Sequence, residues 1–273
     1  IEGCCSCPQL KHPKPEDNSR ALIRRKCNAW QGLNLTLVAP STWIGERARS
    51  SFLFRERRVE TIPTGVDLEA FKPVDQESAR RCLGIPVEKK VILFGAFNPI
   101  RDYRKGYNQL LEALETLAHS ELSNDIIAIT FGAHQEDIIK YPLPSIHLGR
   151  LDTNENLKFA YNAADLIAVP SLEDNLPNVA LEALACGTPI IGYSIGGMPD
   201  VVKHRETGFL GDPDDHGVLG RMIFSCLSDD NLLASMRVAS RLHAEKHFSL
   251  QRQVSSYISL FQELLDAEEI SKK

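Results

Sequence analysis

The chain has 273 residues and a formal net charge of −5, with 43% hydrophobic and 25% charged residues. These values are ordinary for a globular protein of one large domain or two average ones. The sequence has no basic stripe of the kind that binds nucleic acid, and no apolar run approaches the roughly 20 residues needed to span a bilayer.

The first quarter of the chain is irregular and is predicted to be the tail of another domain plus a linker, at residues 1–73. It contains a short strand at 35–39, a helix that Ser41 caps and that extends to about Phe54, and a second strand at 59–63. Because residue 1 is Ile and no signal peptide is visible, we expect an upstream part of the protein to be missing.

From Lys89 onward, short apolar segments alternate with helical patterns. The segments of strand length lie at 91–96, 126–131, 145–148, 166–169 and 189–192. Near-continuous apolar strands of this kind are typical of a parallel sheet covered by helices on both faces. We therefore predict an α/β, Rossmann-like domain at residues 74–248, followed by an amphipathic helix at 249–273.

Two carboxylates follow the strand at 166–169. Asp174 lies in the polar loop, and Glu182 lies inside the apolar helix that follows. Pro177 suits the first turn of that helix and Asn175 can cap it. The first-turn N–H groups favour an anion, and Glu182 can accept hydrogen bonds from vicinal hydroxyls such as those of a ribose. The alternative is a core helix whose Glu pairs with a distant Arg or Lys.

Two further loops follow strands of the predicted sheet. The loop after the 91–96 strand carries Arg101, Arg104 and Lys105, which can neutralise a diphosphate or simply face solvent. Gly196 and Gly197 follow the 189–192 strand, where they can form a tight turn or let the backbone approach a ligand.

The seven cysteines include one cluster, formed by Cys4, Cys5, Cys7 and Cys27. A zinc site needs four suitably spaced ligands, and no second CxxC is present. Reduced thiols in a reducing compartment are therefore the favoured interpretation, and we predict no metal site, although the zinc alternative stays open.

Several motifs, taken in chain order, resemble family 4 of the retaining glycosyltransferases, which use sugar nucleotides and have the GT-B fold of two facing Rossmann-like domains. The motifs are Pro170-Ser171, an acid followed by seven residues and Glu182, the Ala-Leu-Ala-Cys-Gly-Thr-Pro segment at 183–189, Gly196-Gly197-Met198-Pro199-Asp200, and Glu206-Thr207-Gly208. Upstream, residues 62–67 are similar to that family's passage between its domains. The resemblance implies that this chain is mainly the carboxyl-terminal, donor-binding half.

The resemblance also implies roles for individual residues. Asp174 would lie at the transferred sugar, Glu182 would bind the nucleotide ribose and Lys105 would bind the diphosphate. The other implied donor-binding residues are Arg101, Arg104, Glu173, Asn175, Leu176, Pro177, Asn178, Gly149, Arg150 and Leu151. Two departures from the family pattern are Asp174, where the family has Glu, and Ala96 after Gly95, where an Arg is usual.

The implied activity is transfer of a hexosyl group from a nucleoside diphosphate sugar to an acceptor hydroxyl with retention of configuration, in polysaccharide biosynthesis and without a further cofactor. The acceptor would be a glycan or a lipid-linked molecule. The protein would be located in the cytoplasm, where it would either be free or associate with the inner face of the membrane through the missing domain. Two alternatives are a sugar-nucleotide epimerase of GT-B fold and an inactive nucleotide-sugar-binding module.

Overall fold

The fold is taken from a computed structural model, which describes residues 10, 12, 14, 17–95, 102–132 and 141–271. The chain divides into two compact units, at residues 1–62 and 63–273. The predicted domain assignment stays a prediction. In the structure, linker residues Val66 and Phe71 belong to the core of the second unit.

The described part of the first unit contains two helices, α1 (Ser19–Trp30) and α2 (Thr42–Ser50), and two parallel strands, β1 (Thr36–Ala39) and β2 (Arg58–Thr61). Ser41 caps α2 as predicted, because its side chain accepts a hydrogen bond from the Ile44 N–H. The helix ends at Ser50, four residues before the predicted end, and turns follow it.

The second unit is built on a six-stranded, wholly parallel sheet. Its strands, in chain order, are β3 (Lys90–Gly95), β4 (Ile126–Phe131), β5 (Ser145–His147), β6 (Leu166–Val169), β7 (Ile190–Tyr193) and β8 (Gly208–Gly211). Their spatial order is β5-β4-β3-β6-β7-β8. The chain adds β4 and β5 on one side of β3 and then crosses to place β6 on the other side. The carboxyl ends of β3 and β6 therefore form the switch point at which open α/β sheets bind ligands.

Helices cover both faces of this sheet. In the described part of this unit the α-helices, in chain order, are α3 (Gln76–Cys82), α4 (Tyr107–Ala118), α5 (Asn154–Ala163), α6 (Asn178–Ala185), α7 (Met198–Val201), α8 (Val218–Leu227), α9 (Asp230–His247) and α10 (Leu250–Ser271). The apolar residues Val254, Ile258 and Phe261 of α10 are exposed. Alternate residues of β3 enter two separate cores: Val91 and Leu93 pack with residues of α5 and α6, whereas Ile92 and Phe94 pack with residues of α4 and α8. The predicted Rossmann-like α/β class is thus confirmed.

A buried ion pair fixes the amino-terminal edge of the sheet. Arg80, only 6% exposed, donates through Nη2 to Asp165 Oδ2 at 2.8 Å. The same guanidinium donates to the carbonyls of Ala163 and Val87 at 2.9 and 2.7 Å, and Asp165 Oδ2 also accepts from the Val91 N–H at 2.6 Å. The pair therefore ties α3 to the first residues of β3 and to the entrance of β6.

Arg80→Ala should lower the free energy of unfolding by about 3–5 kcal/mol, because it leaves the Asp165 carboxylate without its cation in a poorly solvated position. Urea denaturation measures this loss. The matched control is Arg81→Ala, since Arg81 is exposed and pairs with exposed Glu77; that change should cost about 1 kcal/mol or less. Equal losses in the two variants would contradict the assigned role of Arg80.

Candidate active site

The switch point of the sheet contains a cavity of about 350 Å³. Its walls are the carboxyl ends of β3 and β6, the loop before α4, and the loop that leads into α6. The lining residues are Phe94, Gly95, Lys105, Ala168, Val169, Pro170, Ser171, Asp174, Leu176, Pro177, Asn178 and Val179. Five residues that the sequence singles out, namely Lys105, Asp174, Leu176, Pro177 and Asn178, therefore lie in one cavity.

An ion pair crosses this cavity. Lys105 Nζ lies 2.8 Å from Asp174 Oδ2, and the two side chains are 29% and 16% exposed. Asp174 also accepts a hydrogen bond from the Ser171 hydroxyl at 3.3 Å and from the Asn175 N–H at 3.0 Å. The carboxylate is thus held by its own loop, and it holds the ammonium group of Lys105 inside the cavity.

Gly106 lets the loop that carries Lys105 reach the end of β6. It has a φ of +70°, and a Cβ at this position would lie 1.8 Å from the Pro170 carbonyl oxygen. The Leu172 N–H donates to the Arg104 carbonyl at 2.7 Å and joins the same two loops. A side chain at 106 would push these loops apart.

The paired glycines after β7 form a turn that supports Asp174. A Cβ on Gly196, whose φ is +53°, would lie 1.8 Å from the Asp174 carbonyl oxygen. The Gly197 N–H donates to the same oxygen at 3.3 Å. Of the two interpretations of this pair, the structure therefore shows the turn, packed against the backbone of a site residue.

Helix α6 presents its amino terminus to the cavity. It begins at Asn178, and Pro177 occupies the N-cap position, where its side chain makes no capping hydrogen bond. The prediction that Asn175 caps this helix is wrong, because Pro177 ends the loop with an extended backbone (φ −67°, ψ 124°) only one residue before the helix. Asn178 and Val179 of the first turn line the cavity, so the positive end of the helix dipole faces it.

Glu182 lies one turn further along α6, and its partner is a tyrosine. The Tyr161 hydroxyl donates to Glu182 Oε2 at 2.7 Å. Burial raises the pKa of Glu182, and the hydrogen bond from Tyr161 partly offsets this effect. Among the residues that the structure describes, no Arg or Lys forms an ion pair with Glu182, so the alternative of a distant cation is not supported. Sequence reasoning missed Tyr161, although its hydroxyl in an apolar helix was a signal that it needs a buried acceptor.

Two other predicted site residues, Arg104 and Glu173, are not among those that line the cavity. The Arg104 guanidinium is exposed and forms two hydrogen bonds with Asp102, both 2.9 Å long. Glu173 is exposed. Arg101 lies outside the described residues.

The predicted donor-binding residues at 149–151 follow β5 and are not among the residues that line the cavity. Gly149 accepts a hydrogen bond from the Gly132 N–H at 2.8 Å. Arg150 is exposed and pairs with Asp152 at 2.6 Å, and Leu151 packs against the core that contains α5 and α6. The donor-binding roles of all these residues stay predictions.

Among the described residues, no group of three His, Cys, Asp or Glu side chains could hold a metal ion. Cys27 is a free thiol, whereas Cys4, Cys5 and Cys7 lie outside the described part. No helix within the described ranges is long and apolar enough to cross a membrane.

Comparison with known proteins decides the family. A family model described as "Glycosyl transferases group 1" matches residues 75–243, which include the whole cavity. The chain belongs to this family of glycosyltransferases.

Curated relatives of this group 1 chain include a D-inositol 3-phosphate glycosyltransferase of Salinispora arenicola. The two sequences are 32% identical over 231 residues, and the match covers 77% of this chain and 50% of the relative. A protein of the same name from Corynebacterium jeikeium is 31% identical over 218 residues, and the match covers 76% of this chain and 52% of that relative. The chain thus spans about half the length of these relatives.

Solved structures of similar fold include sucrose-phosphate synthase from Thermosynechococcus elongatus, with a TM-score of 0.76 and 23% identity, covering 95% of this group 1 chain and 64% of the other. Another is the Anabaena protein HepE in complex with UDP and glucose, with a TM-score of 0.68 and 20% identity. The match covers 89% of this chain and 67% of HepE. At these identities the likeness shows the fold alone.

Gly106→Ala should destabilise the second unit by about 2–4 kcal/mol, because the positive φ strains an L-residue and the new methyl group displaces Pro170. Gly84→Ala is the matched control, since Gly84 has a similar φ of +67° but open space around its Cβ position. It should cost only about 1–2 kcal/mol of strain. Urea denaturation of both variants measures the difference, and its absence would mean that the close approach to Pro170 is not a constraint.

Proposed function

We propose that this chain holds the donor site of a retaining hexosyltransferase, which moves a hexosyl group from a nucleoside diphosphate sugar to an acceptor hydroxyl. The observation that carries the proposal is the meeting of Lys105, Asp174 and the amino terminus of α6 in one cavity at the switch point. One cationic side chain, one helix amino terminus and one carboxylate are the groups that a diphosphate and an adjoining sugar require.

Lys105 and the first turn of α6 bind the diphosphate in this proposal. Without ligand, the ammonium charge is balanced by Asp174 at 2.8 Å. A diphosphate carries more negative charge than one carboxylate and therefore competes for Lys105. Asp174 is then free to accept a hydrogen bond from a hydroxyl of the transferred sugar.

The same groups support departure of the nucleotide. When the bond between sugar C1 and the diphosphate oxygen breaks, negative charge grows on the leaving phosphate, and Lys105 together with the α6 dipole stabilises it. The acceptor oxygen bonds to C1 on the face from which the diphosphate leaves, and the acceptor proton passes to the leaving phosphate oxygen. The configuration at C1 is thereby retained.

Glu182 binds the ribose in this proposal. Glu182 lies four residues after Asn178 and three after Val179, so the three side chains occupy one side of α6. Of these three residues, Asn178 and Val179 line the cavity. A carboxylate accepts hydrogen bonds from the two vicinal ribose hydroxyls. The structural neighbour HepE has been solved in complex with UDP-glucose, so UDP-glucose is the first donor to test. The relatives named D-inositol 3-phosphate glycosyltransferase suggest a polyol phosphate as an acceptor to test beside glycans and lipid-linked acceptors.

Lys105→Ala should weaken UDP binding about 10- to 100-fold and uridine binding less than about twofold, because only the former ligand has a diphosphate. Calorimetric titration of the 273-residue chain with UDP, GDP and ADP measures this and identifies the base. Lys89→Ala is the matched control, since the ammonium group of Lys89 bonds the Asn124 carbonyl at an exposed position outside the cavity. Equal losses for UDP and uridine would reject the diphosphate role, and failure of all three nucleotides to bind would reject the donor site.

Affinity for UDP-glucose should rise as the pH is raised through the pKa of Glu182, because only the ionised carboxylate accepts hydrogen bonds through both oxygens. Burial places this pKa above the usual value of 4.5, so the loss on acidification should begin at a higher pH than for an exposed Glu. The diphosphate diester of UDP-glucose does not titrate in this range. Titrations from pH 4.5 to 8 measure the effect, and Glu182→Gln should have a flat profile; an identical profile in both proteins would contradict the assignment.

Labelled UDP-glucose incubated with and without acceptor separates the proposed transfer from its rivals. Label in the acceptor indicates transfer, label in a second sugar nucleotide indicates epimerisation, and unchanged donor with measurable affinity indicates a binding module.

A further inference from the structure

Tyr161 contacts the proposed ribose-binding carboxylate and has no role in the function described above. It lies near the end of α5 and is wholly buried, with 0% of its surface exposed. Its hydroxyl donates to Glu182 Oε2 at 2.7 Å. Of the side chains that the structure describes, Tyr161 is the one that hydrogen-bonds this carboxylate.

The position of the Tyr161 ring is fixed from several directions. Phe71 and Phe131 pack against it edge-on, with ring centroids 6.2 and 6.1 Å away. The Thr188 hydroxyl donates to the Tyr161 carbonyl at 2.8 Å. Since neither the ring nor the backbone can move without disturbing the core, the hydroxyl is a fixed donor.

This contact leaves one Glu182 oxygen for a ligand. The carboxylate is planar, so fixing Oε2 on a rigid donor limits the directions that Oε1 can take. Glu182 is partly exposed and shares one side of α6 with Asn178 and Val179, which line the cavity. We propose that Tyr161 is a positioning residue whose hydroxyl holds one oxygen of Glu182 and thereby directs the other toward the vicinal hydroxyls of the nucleotide ribose. This inference rests on the proposed donor site.

A tyrosine suits this task better than a cation. An Arg or Lys partner would neutralise Glu182 and compete with the ligand for its charge, whereas a neutral hydroxyl orients the carboxylate and leaves it charged. Burial and the nearby Glu182 raise the pKa of Tyr161 well above 10, so its hydroxyl remains protonated and always donates. The same hydrogen bond lowers the pKa of Glu182 and favours the ionised form that the ribose requires.

Tyr161→Phe removes the hydroxyl and keeps the packed ring. We expect the affinity for UDP to fall about 5- to 20-fold, which is less than the loss of a whole hydrogen bond to a charged group because Glu182 itself remains. The affinity for 2′,3′-dideoxy-UDP should change less than about twofold. The pH midpoint for binding of UDP-glucose should also move upward, because Glu182 loses a hydrogen bond that lowers its pKa. Tyr193→Phe is the matched control, since Tyr193 is a buried tyrosine in the core on the opposite face of the sheet.

Equal losses for UDP and its dideoxy form would mean that Tyr161 only supports the fold, and no loss for either would mean that Glu182 is oriented without it; each result overturns the inference. Glu182→Ala separates this failure from failure of the proposed function. If Glu182→Ala abolishes the preference for UDP over dideoxy-UDP and Tyr161→Phe does not, only the inference fails. If Glu182→Ala keeps the preference, or if the wild-type chain binds no UDP, GDP or ADP, the proposed function fails and the inference falls with it.

If Tyr161→Phe does not fold, proton NMR of the wild-type chain answers the same question. The Tyr161 hydroxyl proton should give a downfield resonance that is absent in Glu182→Ala and persists when UDP saturates the site. Loss of that resonance on binding of UDP would overturn the inference, because Glu182 would then have exchanged Tyr161 for the ligand.

Discussion

Close approach of backbone to backbone at the carboxyl edge of the sheet is the constraint on which this site depends. At Gly106 and Gly196 a Cβ would lie 1.8 Å from the carbonyl oxygens of Pro170 and Asp174, respectively. Loops that follow three different strands, β3, β6 and β7, therefore meet within hydrogen-bonding distance. This packing places the Lys of the first loop beside the Asp of the second, and their side chains meet at 2.8 Å.

The two carboxylates of the site have partners of different kinds. Asp174 is paired with the Lys105 ammonium, and a charged ligand can compete for that cation. Glu182 is bonded to the Tyr161 hydroxyl, which has no charge for a ligand to compete for. In the proposed function, the diphosphate end of the site rearranges when the donor binds, whereas the ribose end is already oriented. Binding of the ribose to Glu182 then requires no reorganisation of the protein. This favours binding of the nucleotide before the sugar is positioned.

Sequence patterns predicted five of the six strands because most of them are short, apolar and buried, and the helices between them follow from the spacing of leucines and alanines. Strand β8 was not predicted, because Phe209 and Leu210 are its only large apolar residues and glycines stand at both of its ends. Lys105, Asp174 and Pro177 could be placed near one cavity because all follow strands of one parallel sheet. The partner of Arg104 was harder to predict, because Asp102 competes with a ligand for its guanidinium. Arg104 pairs with Asp102, two residues away, instead of facing the cavity. The Tyr161–Glu182 contact joins residues on two helices through tertiary packing, so no local pattern specifies it.

In the proposed function, the pairing of Lys105 with Asp174 is the resting arrangement of the site and does not serve to stabilise the fold. A largely buried ion pair adds little net stability, because the loss of hydration offsets the attraction between the two charges, and Asp174 already has hydrogen bonds from the Ser171 hydroxyl and the Asn175 N–H. Stability gives little reason to bring Lys105 to it across two loops, at the cost of a positive φ at Gly106. The arrangement is explained if Asp174 keeps the ammonium group inside the cavity until a stronger anion arrives, because an unpaired Lys side chain would otherwise extend into solvent.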